Sequence, residues 1–163
     1  SGGSATIEEV GLLNYIKTHS EEYTFIDRSI AKNEEEKRQI HAKAILSDYY
    51  LMSTNAFTMD GQLVNIDGNG NRVSALCYGP KHVVIITGMN KLTPSVEDAY
   101  KRIRQDACPP NCVRLGLPTP CSKTGVCGDC MSASSICDLF VTTRMSRYPD
   151  RIHIIMVGEE LGY

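Results

Sequence analysis

The sequence predicts an α/β fold built on a largely parallel sheet. Residues 82–87 contain the unbroken β-branched run Val83-Val84-Ile85-Ile86, which suits a strand covered on both faces, as in parallel sheets. Segments of strand and helix character alternate along the chain. The 163 residues suit one domain, 1–163, and no internal repeat or low-complexity linker divides them.

The elements follow in order. The chain opens Ser1-Gly2-Gly3-Ser4. Thr6 and Glu9 stand at capping-box spacing, and Ile7, Val10, Leu13 and Ile16 recur at near-helical intervals, predicting a helix over 6–18. Residues 23–26 are a short apolar run and a candidate strand. Asn33 with Glu36 suggests a second cap, opening a helix over 34–47 whose first-turn acids complement the macrodipole. Residues 49–53 read as a strand. Asp60-Gly61 and Asp67-Gly68-Asn69-Gly70-Asn71 mark tight turns. The stretches 62–66 and 72–77 between and after them read as short strands, a hairpin hanging off the end of a central strand. Pro94-Ser95 open a helix to about residue 107, with Ser95 as cap and Glu97 and Asp98 in its first turn. Residues 108–137 show little periodicity and form a cysteine-rich loop, unusual at that length unless something holds it or it does a job. Residues 138–143 and 152–157 are the last strands.

Composition excludes some functions. The net charge is −2, and Lys101, Arg102 and Arg104 are surrounded by Glu97, Asp98 and Asp106. That is a solvated helix face, not the basic stripe of a nucleic-acid binder. No apolar run approaches the ~20 residues of a membrane helix, and no signal peptide opens the chain. The cytoplasm is the expected location, so the seven cysteines point to metal or redox chemistry before a disulfide framework.

The spacing Cys121-x5-Cys127-x2-Cys130-x6-Cys137 is the strongest chemical signal. Four thiolates within 17 residues can reach one centre. Zinc takes four such ligands at ~2.3 Å. Iron–sulfur clusters also take four, and the plant-type C-x4-C-x2-C spacing is one residue shorter than this one. Spacing does not choose between the two. Redox disulfides and inert thiols are the other readings. Cys108 and Cys112, separated by Pro109-Pro110-Asn111, form a second pair that could add ligands, form a disulfide or stand as spectators.

Gly2-Gly3-Ser4 precede a helix start, where free N–H groups suit an anion. In Asn65-Ile66-Asp67-Gly68-Asn69-Gly70-Asn71-Arg72 the glycines allow close backbone approach, and Arg72 can grip a carboxylate or phosphate in bidentate fashion. Asp60 and Asp67 are candidate acid–base carboxylates. The plainer reading is a structural hairpin. The four histidines, His19, His41, His82 and His153, are scattered and read as structural.

Several of these residues carry a resemblance. The stretch from Thr54-Asn55-Ala56 through Asp60-Gly61 and Leu63-Val64-Asn65-Ile66-Asp67-Gly68-Asn69-Gly70-Asn71-Arg72-Val73 resembles the central signature of the LUD-domain, or lactate-utilisation, family. Gly79-Pro80-Lys81, Thr119-Pro120-Cys121 with Lys123-Thr124-Gly125, and the closing Val157-Gly158-Glu159-Glu160-Leu161-Gly162 are similar to that family too. The resemblance implies a three-layer, mostly parallel fold similar to the sugar-phosphate isomerase and CoA-transferase superfamily. It raises Gly2, Gly3, Ser4, Asn55, Asp67, Gly68, Asn71 and Arg72 as ligand-site residues. It also implies a role in oxidising L-lactate to pyruvate alongside iron–sulfur partner proteins, with no settled catalytic residue. Family members usually carry further residues before the Gly-Gly-Ser, so the resemblance implies an N-terminally truncated domain. Cys108 and Cys112 fall outside it.

Three functions follow as expectations. The first is support of lactate oxidation, with Cys121, Cys127, Cys130 and Cys137 holding zinc or an iron–sulfur cluster. The second is an enzyme binding an anionic small molecule, a sugar phosphate or CoA thioester, with Asp60 or Asp67 as base and Arg72 as clamp. The third is a non-catalytic module whose zinc pins the loop.

Overall fold

The computed structural model describes residues 3–163. In chain order its elements are α1 (Ala5–Glu9), α2 (Leu12–Thr18), α3 (Glu34–Ile45), β1 (Tyr49–Met52), β2 (Ala56–Thr58), β3 (Leu63–Asp67), α4 (Asn71–Cys77), β4 (His82–Gly88), β5 (Leu92–Thr93), α5 (Val96–Arg102), α6 (Cys108–Arg114), α7 (Pro120–Thr124), β6 (Leu139–Thr143) and β7 (Ile152–Val157). A π-helical turn, Ile103–Ala107, joins α5 to α6. The class is α/β, as expected. Where the sequence reading places one sheet, the chain builds two, in two compact units. The first unit is the chain up to Ser53 with Asn71–Gly88 and Ser146–Gly162; the second is Thr54–Gly70 with Met89–Met145 and Tyr163.

The first unit holds a parallel sheet in the order β1-β4-β7. Tyr50 pairs with Val83 and Met52 with Ile85, while Val84 faces His153 and Ile86 faces Ile155 across the other edge. The β-branched run therefore forms the central strand, and Val83 and Ile85 are fully buried. β7 lies at an edge and leaves Ile154, Ile155 and Met156 exposed.

Its helices depart from expectation in instructive ways. The helix read over 6–18 is two, interrupted at Val10-Gly11. Ser4, not Thr6, caps α1, its Oγ accepting the Ile7 N–H at 3.4 Å. Thr6 instead donates its hydroxyl to the Leu161 carbonyl (3.2 Å), and Glu9 accepts the Gly162 N–H (2.7 Å), so the residues read as a local capping box tie α1 to the C-terminal segment. Asn33 caps α3 as expected, accepting the Glu36 N–H at 2.9 Å. Residues 23–26 form no strand; beyond them Asp27 turns the chain by accepting the Ser29 N–H.

Residues 72–77 are not a strand but lie in α4. Val73 and Leu76, three apart, are both buried, which a helix allows on one face and a strand does not. The C-terminal carbonyls of α4 meet the buried guanidinium of Arg151. It donates to Leu76 O (2.7 Å), Ala75 O (2.8 Å) and, beyond the helix, Pro80 O (3.1 Å).

The second unit holds a mixed sheet in the order β5-β2-β3-β6. The hairpin expected here exists, but its strands are β2 and β3, turning at Asp60-Gly61. They run antiparallel, with Ala56 opposite Val64. β5 joins β2 parallel and β6 joins β3 antiparallel. Ala56, Val64, Ile66, Ala99, Ile103, Ala107 and Cys108 form one buried core, with Val96, Tyr100 and Cys137 packed against it. α5 contributes Ala99 to this core, after Ser95 caps it by accepting the Asp98 N–H at 3.1 Å.

Candidate functional site

The cysteine-rich segment is more ordered than its sequence suggests. In the π-helical turn the Cys108 N–H reaches back five residues to the Ile103 carbonyl. α6 then starts at Cys108, with Pro109 and Pro110 in its first turn, where a missing N–H costs nothing. Cys108 and Cys112 are one helical turn apart, so both thiols lie on one face, and both are buried. α7 is capped by Thr119, whose hydroxyl accepts the Ser122 N–H (3.3 Å) and also stands 3.3 Å from the buried Cys121 sulfur.

The helix-borne thiols meet the loop thiols in pairs. The sulfurs of Cys108 and Cys137 are 3.5 Å apart. Cys112 lies within hydrogen-bonding range of Cys121 and of Thr119. Arg104, reaching from the π-helical turn, stands beside Cys127 and pairs with Asp129 at 2.5 Å. The electrostatics follow from these contacts. The Cys108 thiol hydrogen-bonds to Cys137 and brings it down to about 7, with the charge of Arg104 helping and burial opposing. Cys108 is pushed up by sharing its proton with Cys137 and by burial. Burial also raises Cys112. Cys127, beside Arg104, holds that guanidinium more firmly protonated.

Zinc requires four sulfurs at ~2.3 Å from one point. Among the described residues no three Cys, His, Asp or Glu side chains converge as metal ligands. Cys121, Cys127, Cys130 and Cys137 suit a metal chemically but are not gathered on one centre. Cys121 stands by Cys112, Cys137 by Cys108, Cys127 by Arg104, and Cys130 is partly exposed. Among the described residues these side chains do not present the ligand geometry of zinc or an iron–sulfur cluster. Sequence reasoning undervalued Cys108 and Cys112. The signal was present in their i,i+4 spacing, which places two thiols on one helix face once the prolines are recognised as first-turn residues.

The glycine-rich turns are explained locally. In the second unit the Asn65 side chain accepts the Asn55 N–H (3.2 Å), and the Asn55 side chain accepts the Ile66 N–H (3.0 Å), a reciprocal clamp between the β2 and β3 backbones. Asp67 accepts the Gly70 N–H (3.0 Å) and closes the turn after β3. A Cβ on Gly68 would stand 3.1 Å from the Ile136 Cα, and one on Gly70, at φ +78°, would stand 2.8 Å from Leu139 Cδ1. The turn thus packs against the residue preceding Cys137 and buttresses the cysteine centre. Asp60 braces the β2–β3 turn through Thr58 and through Gln62 Nε2 (2.8 Å), contacts that hold its carboxyl below the usual range and make it a poor base.

The other residues expected at a ligand site belong to the first unit. Ser4 caps α1, Gly3 lies under the Arg28 guanidinium, Asn71 opens α4, and Arg72 donates to the Ser53 carbonyl at 3.3 Å. Gly2 lies outside the described residues. His82 stacks on Tyr49 and lies 3.4 Å from His153, an exposed pair on neighbouring strands. Among the described residues no helix is long and apolar enough to cross a membrane.

Comparison with known proteins agrees with the signature in residues 54–73. No curated protein and no solved structure matches the chain significantly. The model of the LUD domain matches residues 1–157, essentially the whole chain, which therefore belongs to the LUD-domain family, with the lactate-utilisation role that membership implies.

Proposed function

We propose that this chain supports the oxidation of L-lactate to pyruvate, alongside iron–sulfur partner proteins in the reducing cytoplasm. The family match over residues 1–157 carries the reading. The oxidation releases two electrons and two protons, and partners with iron–sulfur centres accept electrons. The parallel β1-β4-β7 sheet is in keeping with a fold like that of the sugar-phosphate isomerases and CoA transferases. The test is a deletion strain grown on L-lactate or on glucose as sole carbon source. A lactate-specific defect, restored by the wild-type gene, is expected; unchanged growth and lactate consumption would refute the role.

A sugar-phosphate or CoA-thioester enzyme is the weaker reading. It needs Asp60 or Asp67 as a base and Arg72 as a clamp. Asp60 is held ionised by Thr58 and Gln62, Asp67 closes a turn on Gly70, and Arg72 already binds the Ser53 carbonyl. Zinc or an iron–sulfur cluster in the cysteine segment belongs to the same set of proposals. Elemental analysis of protein purified without oxygen separates a metal-loaded segment from one of free thiols.

A further inference from the structure

We propose that Cys137 and Cys108 form a redox-active dithiol that exchanges with low-molecular-weight disulfides, Cys137 attacking and Cys108 resolving. This goes beyond the lactate role and stands without it.

The two sulfurs lie 3.5 Å apart, so closing to the ~2.05 Å of a disulfide needs a movement of about 1.5 Å. The two thiols differ in access. Cys108 is buried in the core formed by Ala56, Val64, Ile66, Ala99, Ile103 and Ala107, whereas Cys137 is only partly buried against it. An incoming disulfide therefore reaches Cys137 first and cannot reach Cys108 directly. The π-helical turn leads directly into α6, whose first residue is Cys108, so this thiol is carried on ordered helical backbone. Among the described residues no three Cys, His, Asp or Glu side chains group as metal ligands, and two thiols in contact have disulfide chemistry open to them.

The steps balance. The Cys137 thiolate attacks one sulfur of a disulfide RSSR, forming a Cys137–SR mixed disulfide and releasing RS⁻. Cys108 passes its proton through solvent to the released RS⁻, giving RSH, and attacks the Cys137 sulfur. That forms the Cys108–Cys137 bond, breaks the mixed disulfide and releases a second RS⁻. Two electrons pass from the protein dithiol to RSSR. Closure would tie the first residue of α6 to the residue two before β6, across 29 positions of chain. The Gly68 turn, packed on Ile136, holds the attacking end in place.

The experiment uses the full chain, reduced and desalted without oxygen, with oxidised glutathione as the probe and peptide mapping by mass spectrometry as the readout. Wild type is expected to give the Cys108–Cys137 disulfide with no lasting adduct on either of the two. Cys108→Ser is expected to keep a glutathione on Cys137. In Cys137→Ser, Cys108 is expected to react at least about tenfold more slowly than Cys137 does in wild type, since access limits exchange. Limited alkylation of reduced wild type, which needs no variant to fold, should label Cys137 before Cys108. A disulfide joining other cysteines, first labelling at Cys108, or an internal disulfide formed equally fast in Cys108→Ser would overturn the assignment. So would zinc or iron bound to Cys137 that blocks both reactions.

Discussion

Replacing Arg151 with methionine keeps much of its buried volume and removes three hydrogen bonds at once. The side chain is 9% exposed, and its acceptors are the carbonyls of Ala75, Leu76 and Pro80. Ala75 and Leu76 lie in the last turn of α4, where carbonyls have no intrahelical partner. A cation there also meets the negative end of the helix dipole. Hydrogen bonds to a charged group contribute about 1.5–3 kcal/mol each, which bounds the loss from above. Against it stands the desolvation of the guanidinium, several kcal/mol that the variant no longer bears. The carbonyls stay behind without their donor, so the net loss is expected at about 3–4 kcal/mol, in the range for breaking a buried charged contact. At roughly 2–4 °C per kcal/mol for a chain of this size, Tm should fall by about 6–16 °C. Arg151→Lys keeps the charge but cannot serve three divergent carbonyls, and should lose about half as much. Circular dichroism melts and urea titrations provide the measurement. A methionine variant within about 0.5 kcal/mol of wild type would show that these carbonyls find other partners. A lysine variant as stable as wild type would show that charge, not the planar fork, carries the effect.

Other perturbations test other links in the same way. Gly70→Ala must hold a side chain at φ +78° and push aside Leu139, so a loss of about 1–2 kcal/mol is expected in urea unfolding; an unchanged midpoint would mean the turn re-forms without left-handed geometry. Asn33→Ala removes the cap of α3 and should cost about 1 kcal/mol, whereas Asn33→Asp should retain most of it, because an oxygen still accepts the Glu36 N–H. His41 is held below its ordinary value by burial, then by the charges of Arg28 and Lys37, with Glu34 opposing. The neutral ring is the native form, so stability is intact above about pH 6.5 and falls as pH drops below it, because the unfolded chain then binds the proton more readily. Melts of wild type and His41→Gln should therefore diverge as pH is lowered through that value, wild type losing more; parallel curves would remove His41 from the acid response.

Much of the fold was legible because its signals are local. The run Val83 to Ile86 announces a buried strand, and Asn33 and Ser95 announce helices because an N-cap needs only a residue and an N–H three positions on. Residues 72–77 misled because Val73, Ala75 and Cys77 alternate like a strand while Val73 and Leu76 repeat like a helix, and six residues are too few to separate the periods. Thr6 and Glu9 misled for a different reason. Their spacing is that of a capping box, but both are spent on Leu161 and Gly162, partners more than 150 positions away. Nothing near Arg151 in sequence marks it as a helix-terminus cation, since its acceptors lie 71 to 76 positions back.

The cysteines show where spacing arguments stop. Counting intervals from Cys121 to Cys137 assumes that the sulfurs nearest in sequence share a centre. That holds when the backbone between them is free to wrap an ion. Here α7 fixes Cys121, the Gly68 turn fixes the approach to Cys137, and α6 presents two thiols on a rigid face. The helix therefore selects one partner from each end of the segment, Cys137 for Cys108 and Cys121 for Cys112. A metal on Cys121, Cys127, Cys130 and Cys137 would have to gather side chains that, among the described residues, do not group as metal ligands. An oxidant has only to shorten a contact that already exists. The smaller displacement is the physical reason to look first for disulfide exchange at Cys137.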